Sequence, residues 1–518
     1  MVALGVLTSR VIGLVRLRVF GHFLGTSDAA DAFAAAFRIP NLLQNLFGEG
    51  ALSASFIPVY AGLLGAGRTA EANRVARAIG ALLALVTSLL VLAGVLLAPH
   101  LIALIAPGFT GPKRDLTVQL VRILFPGAGL LVLSAWCLGI LNSTGRFFLS
   151  YAAPVAWNAA IIVALLAVGG AAAPERLVRA AAWGSVAGSL LQVLVQLPSV
   201  AGALRDMAAS ASTRVREHVT TVFRNFLPAF TSRGVVQISA YADTLIATLL
   251  PAGAPAALSY AQTLYNLPVS LFGMSVSAAE LPRMSGVSED PDDARAAFLR
   301  QRLGTGLRQI AFFVVPTVVA FAALGHVLSA ALFETGRFSR SDSFFVWEIL
   351  AASSVGLLAG TLGRLYSSTF FALRDTRTPM RLALVRVVLG VGLAFVGALW
   401  LPRQVGLEPR LGAAGLALAS SFAAWIEFAL LRRALVRRIG VPEATPGFLP
   451  RLWGAAIAAA LAGWGVLLLL PADLHRIVLA AWVCGVFGLV YLGVTLQLRI
   501  PEAQAFARRL ARRRSRRD

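Results

Sequence analysis

Residues 28–60 read DAADAFAAAFRIPNLLQNLFGEGALSASFIPVY. The run is apolar enough to enter a bilayer, yet it holds Asp31, Arg38, Asn45 and Glu49. At 100° per residue those four fall within roughly 20° of one line along a helix, and 31 to 49 rises about 27 Å. That is close to one hydrocarbon thickness, about 30 Å. An ionised group facing lipid there costs at least about 2.5 kcal/mol, so the line must face protein or a watery cavity. The plainer alternative is that Arg38 and Glu49 pair with neighbouring helices and lock a bundle. Four polar groups on one line favour a helix that lines a polar cavity through the membrane.

Composition agrees with a membrane setting. The 518 residues are 58% hydrophobic and 14% charged, with a mean hydropathy of +0.77, far from the balance of a soluble domain. Cys137 and Cys484 each sit inside an apolar segment, so neither a disulfide framework nor a metal cluster is expected. His22, His100, His218, His326 and His475 make no ligand spacing. No nucleophile elbow, P-loop or dinucleotide turn appears, so enzyme chemistry has no foothold and no organic cofactor is expected. A net charge of +22 would suggest nucleic acid in a soluble protein, but the basic residues here follow membrane topology instead.

Apolar runs of about 20 residues, bounded by Gly, Pro or charge, are the sign of spanning helices. They predict fourteen, at 2–24, 31–64, 76–98, 116–141, 148–169, 178–201, 225–250, 256–282, 309–333, 343–373, 382–401, 411–431, 452–470 and 477–498. The loops after even-numbered spans, with the tail, carry 30 Lys and Arg against 8 in the odd-numbered loops. By the positive-inside rule the even loops and both termini are then cytoplasmic. Arg386 is counted here with the loop after the tenth span. No cleavable leader is expected, because the first apolar segment lacks a small-residue cleavage pattern and holds Arg10, Arg16 and Arg18.

The chain also repeats itself. Ser9-Arg10 recurs as Ser232-Arg233, Phe47-Gly48 as Phe272-Gly273, and Pro58 as Pro282, at offsets of 223, 225 and 224. Two parallel six-helix repeats follow, a plan in which the site lies near the midplane between them. The expected fold is therefore an all-α polytopic membrane protein of about fourteen transmembrane helices. Its expected domains are six-helix bundles over 1–205 and 206–438, two further helices within 439–498, and a basic cytoplasmic tail over 499–518. The last two helices carry almost no intramembrane charge and would face lipid or a hydrophobic ligand. The tail, with AFARRLARRRSRRD over 505–518, most simply anchors on anionic phospholipid head groups, at about 1 kcal/mol per basic residue.

SRVIGLVR (9–16), DAFAAAFRIPNLLQNLFGEGALSASFIPVY (31–60) and NSTGRFF (142–148) resemble the MviN/MurJ family of lipid II flippases, within the multidrug/oligosaccharidyl-lipid/polysaccharide exporter superfamily. The resemblance covers essentially the whole chain. It implies two six-helix bundles around a cationic cavity that opens alternately to either side of the bacterial inner membrane. The implied cargo is undecaprenyl pyrophosphate carrying the peptidoglycan disaccharide-pentapeptide, for cell wall biogenesis and cell shape. Arginine forks match phosphate oxygens, and no covalent step is required.

By the resemblance Arg10, Arg16 and Arg38 meet the pyrophosphate, with Asn45 beside them, and Asp31 and Glu49 set closed-state contacts. The chain departs from the family pattern at Leu17, where an acid is common, and at Gln44 and Thr263, where arginines are usual. Some relatives bind sodium near positions matched by Asp243 and Asp375, but Phe371 and Val391 stand where oxygen ligands are expected. The plain alternative for Asp243 is a salt bridge to Arg233 or Arg364. Sodium and the membrane potential are thus both open as coupling. Three other readings stay open: a flippase for another polyprenyl-linked saccharide, an ion-coupled exporter of the same superfamily, and a non-transporting envelope scaffold. A monomer suffices for each.

Overall fold

Leu, Ala and Val fill the apolar runs, and with backbone polar groups unable to reach water such runs must satisfy themselves as helices. The computed structural model describes residues 2–47, 49–204, 215–286, 292–443, 445–471 and 474–514, and among them no strand occurs. The chain divides into two compact units, Met1–Ala256 with Thr335–Phe338, and Ala257–Glu334 with Ser339–Asp518.

The first unit holds α1 (Val2–Leu24), α2 (Asp28–Phe47), α3 (Glu49–Gly65), α4 (Thr69–Leu96), α5 (Ala98–Ile105), α6 (Gly111–Ser143), α7 (Phe147–Val168), α8 (Pro174–Ala203) and α9 (Val215–Thr248). Helix α6 is its centre, packed against α2, α3, α4 and α8, while α7 joins α1 to α8. It starts cleanly because Thr110 is extended and Pro112 occupies the first turn, where a missing N–H costs nothing. Phe56, Tyr60, Val75, Ala76, Ile140 and Val200 form one core cluster at α3, α4, α6 and α8. Lipid is as apolar as leucine, so close packing and hydrogen bonds hold such a cluster together. Trp136 Nε1 donates to the Ala76 carbonyl at 3.0 Å, and the Tyr60 hydroxyl reaches Asn73.

The second unit takes up α10 (Ala254–Pro268), which begins at the unit boundary and runs through a π-helical turn, Val269–Met274, into α11 (Ser275–Ser285). It continues with α12 (Asp292–Phe333), α13 (Arg340–Ala372), α14 (Arg377–Phe395), a second π-turn (Val396–Trp400), α15 (Leu401–Val405), α16 (Gly412–Ile439), α17 (Phe448–Leu469), α18 (Arg476–Gln497) and α19 (Pro501–Arg514). Helices α12, α13 and α16 form its centre, with α17 and α18 packed as a pair on α12. Ser339 and Asp342 close a capping box at the start of α13, satisfying two otherwise orphan donors. Gly415 of α16 lies against the Gly397 carbonyl in the second π-turn, an approach that any Cβ would block. Leu461, Leu468, Leu469 and Leu489 are exposed on α17 and α18, as a lipid-facing surface requires.

All fourteen expected segments are helical, and nine helices among the described residues are long and apolar enough to cross a membrane. The chain is an all-α polytopic membrane protein. Three expected spans are not single regular α-helices: 76–98 crosses the break between α4 and α5 at Leu97, while 256–282 and the segment after 382 each contain a π-turn; Gly48, within 31–64, lies outside the described residues. Helices also outrun their apolar stretches. Helix α12 starts at Asp292, and α14 starts at Arg377 and so encloses Arg386. Polar residues continue a helix into water at little cost, so hydropathy alone places such ends too far inward.

Candidate functional site

Asp31 lies in the first turn of α2 and has no exposed surface. A buried carboxylate must be paired and hydrogen-bonded. Lys113 Nζ, from the first turn of α6, donates to it at 2.7 Å, and the backbone N–H groups of Gly253 and Ala256 donate at 2.7 and 2.9 Å. Those two amides sit at the start of α10, whose first turn has no carbonyls of its own to accept them. The same ammonium reaches Asp28 at 2.7 Å and stands 4.5 Å from the centre of the Phe109 ring. Gly253 has φ +89°, and a Cβ there would meet the Thr26 carbonyl. The expectation that Asp31 faces a cavity is corrected here: it is enclosed by α6 and the turn before α10.

Arg38, two turns further along α2, is half-buried and turned to another neighbour. Its carbonyl accepts from the Tyr241 hydroxyl at 2.8 Å, and its guanidinium lies within electrostatic reach of Asp243 and Tyr241 on α9. Asp243 thus faces Arg38. Arg364 belongs to the second unit, and the Arg233 side chain lies outside the described residues. Arg16 is half-buried, its guanidinium 5.0 Å from the centre of the Trp157 ring on α7. Trp157 donates its indole N–H to Ser185 Oγ at 3.1 Å and packs on Phe37 at 6.0 Å. Arg10 is exposed and Asn45 half-buried; the Glu49 side chain lies outside the described residues.

Ser185 also lines a small cleft, about 240 Å³ with its mouth, together with Phe37, Asn41 and Gln44 of α2 and Gly127 of α6. The α2 stripe therefore divides: Asp31 serves a helix start and Arg38 meets α9, while Gln44, off that line, faces the cleft. A neutral seam continues behind it, where Ser134 of α6 donates to Gln196 at 3.1 Å and accepts from Gln192 at 2.9 Å, all buried. Sequence reasoning missed this seam. Its signal was the spacing Ser185, Ser189, Gln192, Gln196, which puts four polar groups on one face of α8.

In the second unit, Thr263 bonds back to the Ser259 carbonyl at 3.0 Å, and Gln262 donates to Asn266 at 3.1 Å on an exposed face. Asp375, in the turn before α14, accepts from Thr378 Oγ1 at 2.7 Å and from the amides of Thr378 and Arg377 at 3.0 Å, and pairs with Arg438 at 2.7 Å. The Thr378 hydroxyl and amide, aided by Arg438, hold its carboxyl below the usual carboxylate range. Its oxygens are thereby engaged, and it belongs to a different unit from Asp243. Among the described residues no group of three or more His, Cys, Asp or Glu could hold a metal ion.

The family model described as lipid II flippase MurJ matches residues 20–493. A Rhizobium meliloti protein named "Probable lipid II flippase MurJ" is 32% identical over 437 residues, covering 83% of this chain and 79% of that relative. The chain belongs to the MurJ family. A second MurJ relative, "Lipid II flippase MurJ" of Burkholderia cenocepacia, is 31% identical over 464 residues, covering 88% of this chain and 86% of its own length. Among solved structures the fold is similar to "Lipid II flippase MurJ, inward closed conformation", with a TM-score of 0.77, 22% identity, and 96% and 98% of the two chains covered. It is also similar to the inward-facing conformation of a multidrug resistance MATE family transporter, with a TM-score of 0.68, 17% identity, and 83% and 94% covered. At those identities the likeness is one of fold, and MurJ membership rests on the sequence matches.

Proposed function

We propose that this chain is a lipid II flippase, a transporter with no catalytic step. It moves undecaprenyl-pyrophosphate-linked disaccharide-pentapeptide from the inner to the outer leaflet of the bacterial inner membrane by alternating access. The observation that carries this reading, besides family membership, is the placement of guanidinium groups along α1 and α2. Arg16 and Arg38 are held half-buried in apolar helices, and Asp31 and Asp28 of α2 are both taken up by Lys113, Asp31 also by two amides. Asp243 lies within electrostatic reach of Arg38. A pyrophosphate suits such groups, because the arginine fork matches its oxygens.

In this reading Arg10, Arg16 and Arg38 bind the head group with Asn45 and Glu49, while Asp31 positions helices without touching cargo. Fourteen spans with both termini cytoplasmic fit the arginine-rich loops. Ser9-Arg10, Phe47-Gly48 and Pro58 recur at near-constant offsets of 223 to 225, which supports two six-helix repeats over 1–205 and 206–438. A net-charged cavity couples to the membrane potential at about 2.3 kcal/mol per charge per 100 mV. The chain acts as a monomer, its basic tail on anionic phospholipids.

The test is replacement of an essential lipid II flippase by this gene, scoring growth and outer-leaflet exposure of lipid II. Restored exposure supports the reading. Failure with the protein in the membrane, alongside a related MurJ that complements, overturns it and directs attention to another polyprenyl-linked cargo.

A further inference from the structure

Arg364 lies on α13, eight residues before that helix ends at Ala372, which places it about 12 Å along the axis from that end. Three groups lie within its electrostatic reach: Tyr265 of α10, Arg386 of α14 and Glu427 of α16. Arg386 donates to Glu427 at 3.0 Å. Two guanidinium groups therefore share one carboxylate, and among the described residues no acid forms an ion pair with Arg364. The Tyr265 hydroxyl sits 3.5 Å from where a Cβ on Gly360 would stand. Gly360 is one turn before Arg364 on the same helix face, so the missing side chain admits the phenol beside the guanidinium. Arg364 keeps exposed surface, and so do Gln262 and Asn266 on the helix that carries Tyr265.

A cation in a membrane helix is retained at a cost and marks function when its countercharge is missing. Here the countercharge is short by one. The donors present are a planar guanidinium fork and a phenolic O–H, the complement of phosphate oxygens, while the nearby Glu427 carboxylate is engaged by Arg386. Arg386, paired with Glu427, lies alongside, and the one uncompensated charge suits an anion. The depth favours an anion carried on a lipid over one free in water. We propose that Arg364 and Tyr265, backed by Arg386, form a binding site for the phosphate of a lipid head group within the second unit. That the lipid is a polyprenyl pyrophosphate rests on the function proposed above.

The experiment uses the full-length protein in phosphatidylcholine nanodiscs, titrated separately with undecaprenyl pyrophosphate and with phosphatidylglycerol, and read by native mass spectrometry. Arg364→Gln weakens binding of the pyrophosphate lipid about tenfold or more, as loss of a charged hydrogen bond should. Arg364→Lys restores only part of the binding lost in Arg364→Gln, because it keeps the charge without the fork, Tyr265→Phe loses part of it, and Glu427→Gln frees Arg386 and strengthens it, a gain that a purely structural cluster does not give. If Arg364→Gln does not fold, Tyr265→Phe and Glu427→Gln decide alone. Binding of the pyrophosphate lipid that ignores these substitutions overturns the site and leaves the proposed function standing. Arg364-dependent binding of phosphatidylglycerol, with none of the pyrophosphate lipid, keeps the phosphate site and overturns that function. Binding of neither overturns both.

Discussion

Asp31 and Lys113 meet at 2.7 Å with the carboxylate wholly buried, 82 residues apart in the chain. The contact joins the start of α2 to the start of α6, and the free carboxylate lone pairs hold the first amides of α10. Removing one partner of a buried pair leaves an uncompensated charge, at about 3–5 kcal/mol. Lys113→Met should destabilise the purified protein by that amount in unfolding measurements, and Asp31→Asn with Lys113→Met should recover part of the loss. Additive single effects would mean the two residues are not coupled.

Arg16 and Trp157 give a second prediction. A cation over an indole face is worth about 0.5–2 kcal/mol, so Trp157→Leu should slow outer-leaflet exposure of lipid II by about 2- to 30-fold at equal membrane abundance. Trp157→Phe keeps a ring under Arg16 and loses the bond to Ser185, and should cost less. Arg16→Ala should abolish complementation with insertion intact; unchanged growth would remove Arg16 from the mechanism.

The Asp375 turn is sensitive to acid. Its bonded form is the ionised one, so its folded-state value lies below the unfolded value, which is about 3.9. The stability it contributes is complete well above that pH and is lost as pH falls through the lower folded value. Wild type should exceed Asp375→Asn in stability at neutral pH, and the gap should close below about pH 4. Thr378→Val should lose about 1 kcal/mol at neutral pH. A gap constant from neutral pH down to pH 3 would contradict the assigned bonds.

Close approach of α16 to the second π-turn depends on a missing side chain. Gly415→Ala drives a Cβ into the Gly397 carbonyl, and overpacking of this kind costs about 1–3 kcal/mol. Gly392→Ala, whose Cβ would meet nothing within 4 Å, should be neutral or slightly stabilising. The pair of thermal unfolding curves checks both.

The helices were legible because hydropathy reports burial in lipid directly. The partners of the polar residues were not. Nothing local to Asp31 announces Lys113 or Gly253, since the fold alone brings those segments together. Arg386 reads as loop by its arginine-rich flank, yet α14 begins at Arg377 and carries it inside to Glu427. Arg38 was legible as functional from its apolar setting, whereas Gln192 and Gln196 carry no charge and vanish into a Leu-rich run. The α2 stripe was sound as geometry, but a shared face says nothing of which neighbour each residue meets.

The π-turn at Val269–Met274 inserts one residue into the winding between α10 and α11, which sets the phase of the helix forward by about 100°. Above it Gln262 and Asn266 are exposed; below it Glu280 is buried and accepts two bonds from Arg302, at 2.9 and 2.7 Å. A label or cysteine placed below Met274 by counting straight down from Asn266 will therefore report on the wrong side of the rod. Probes of this segment need two separate angular origins.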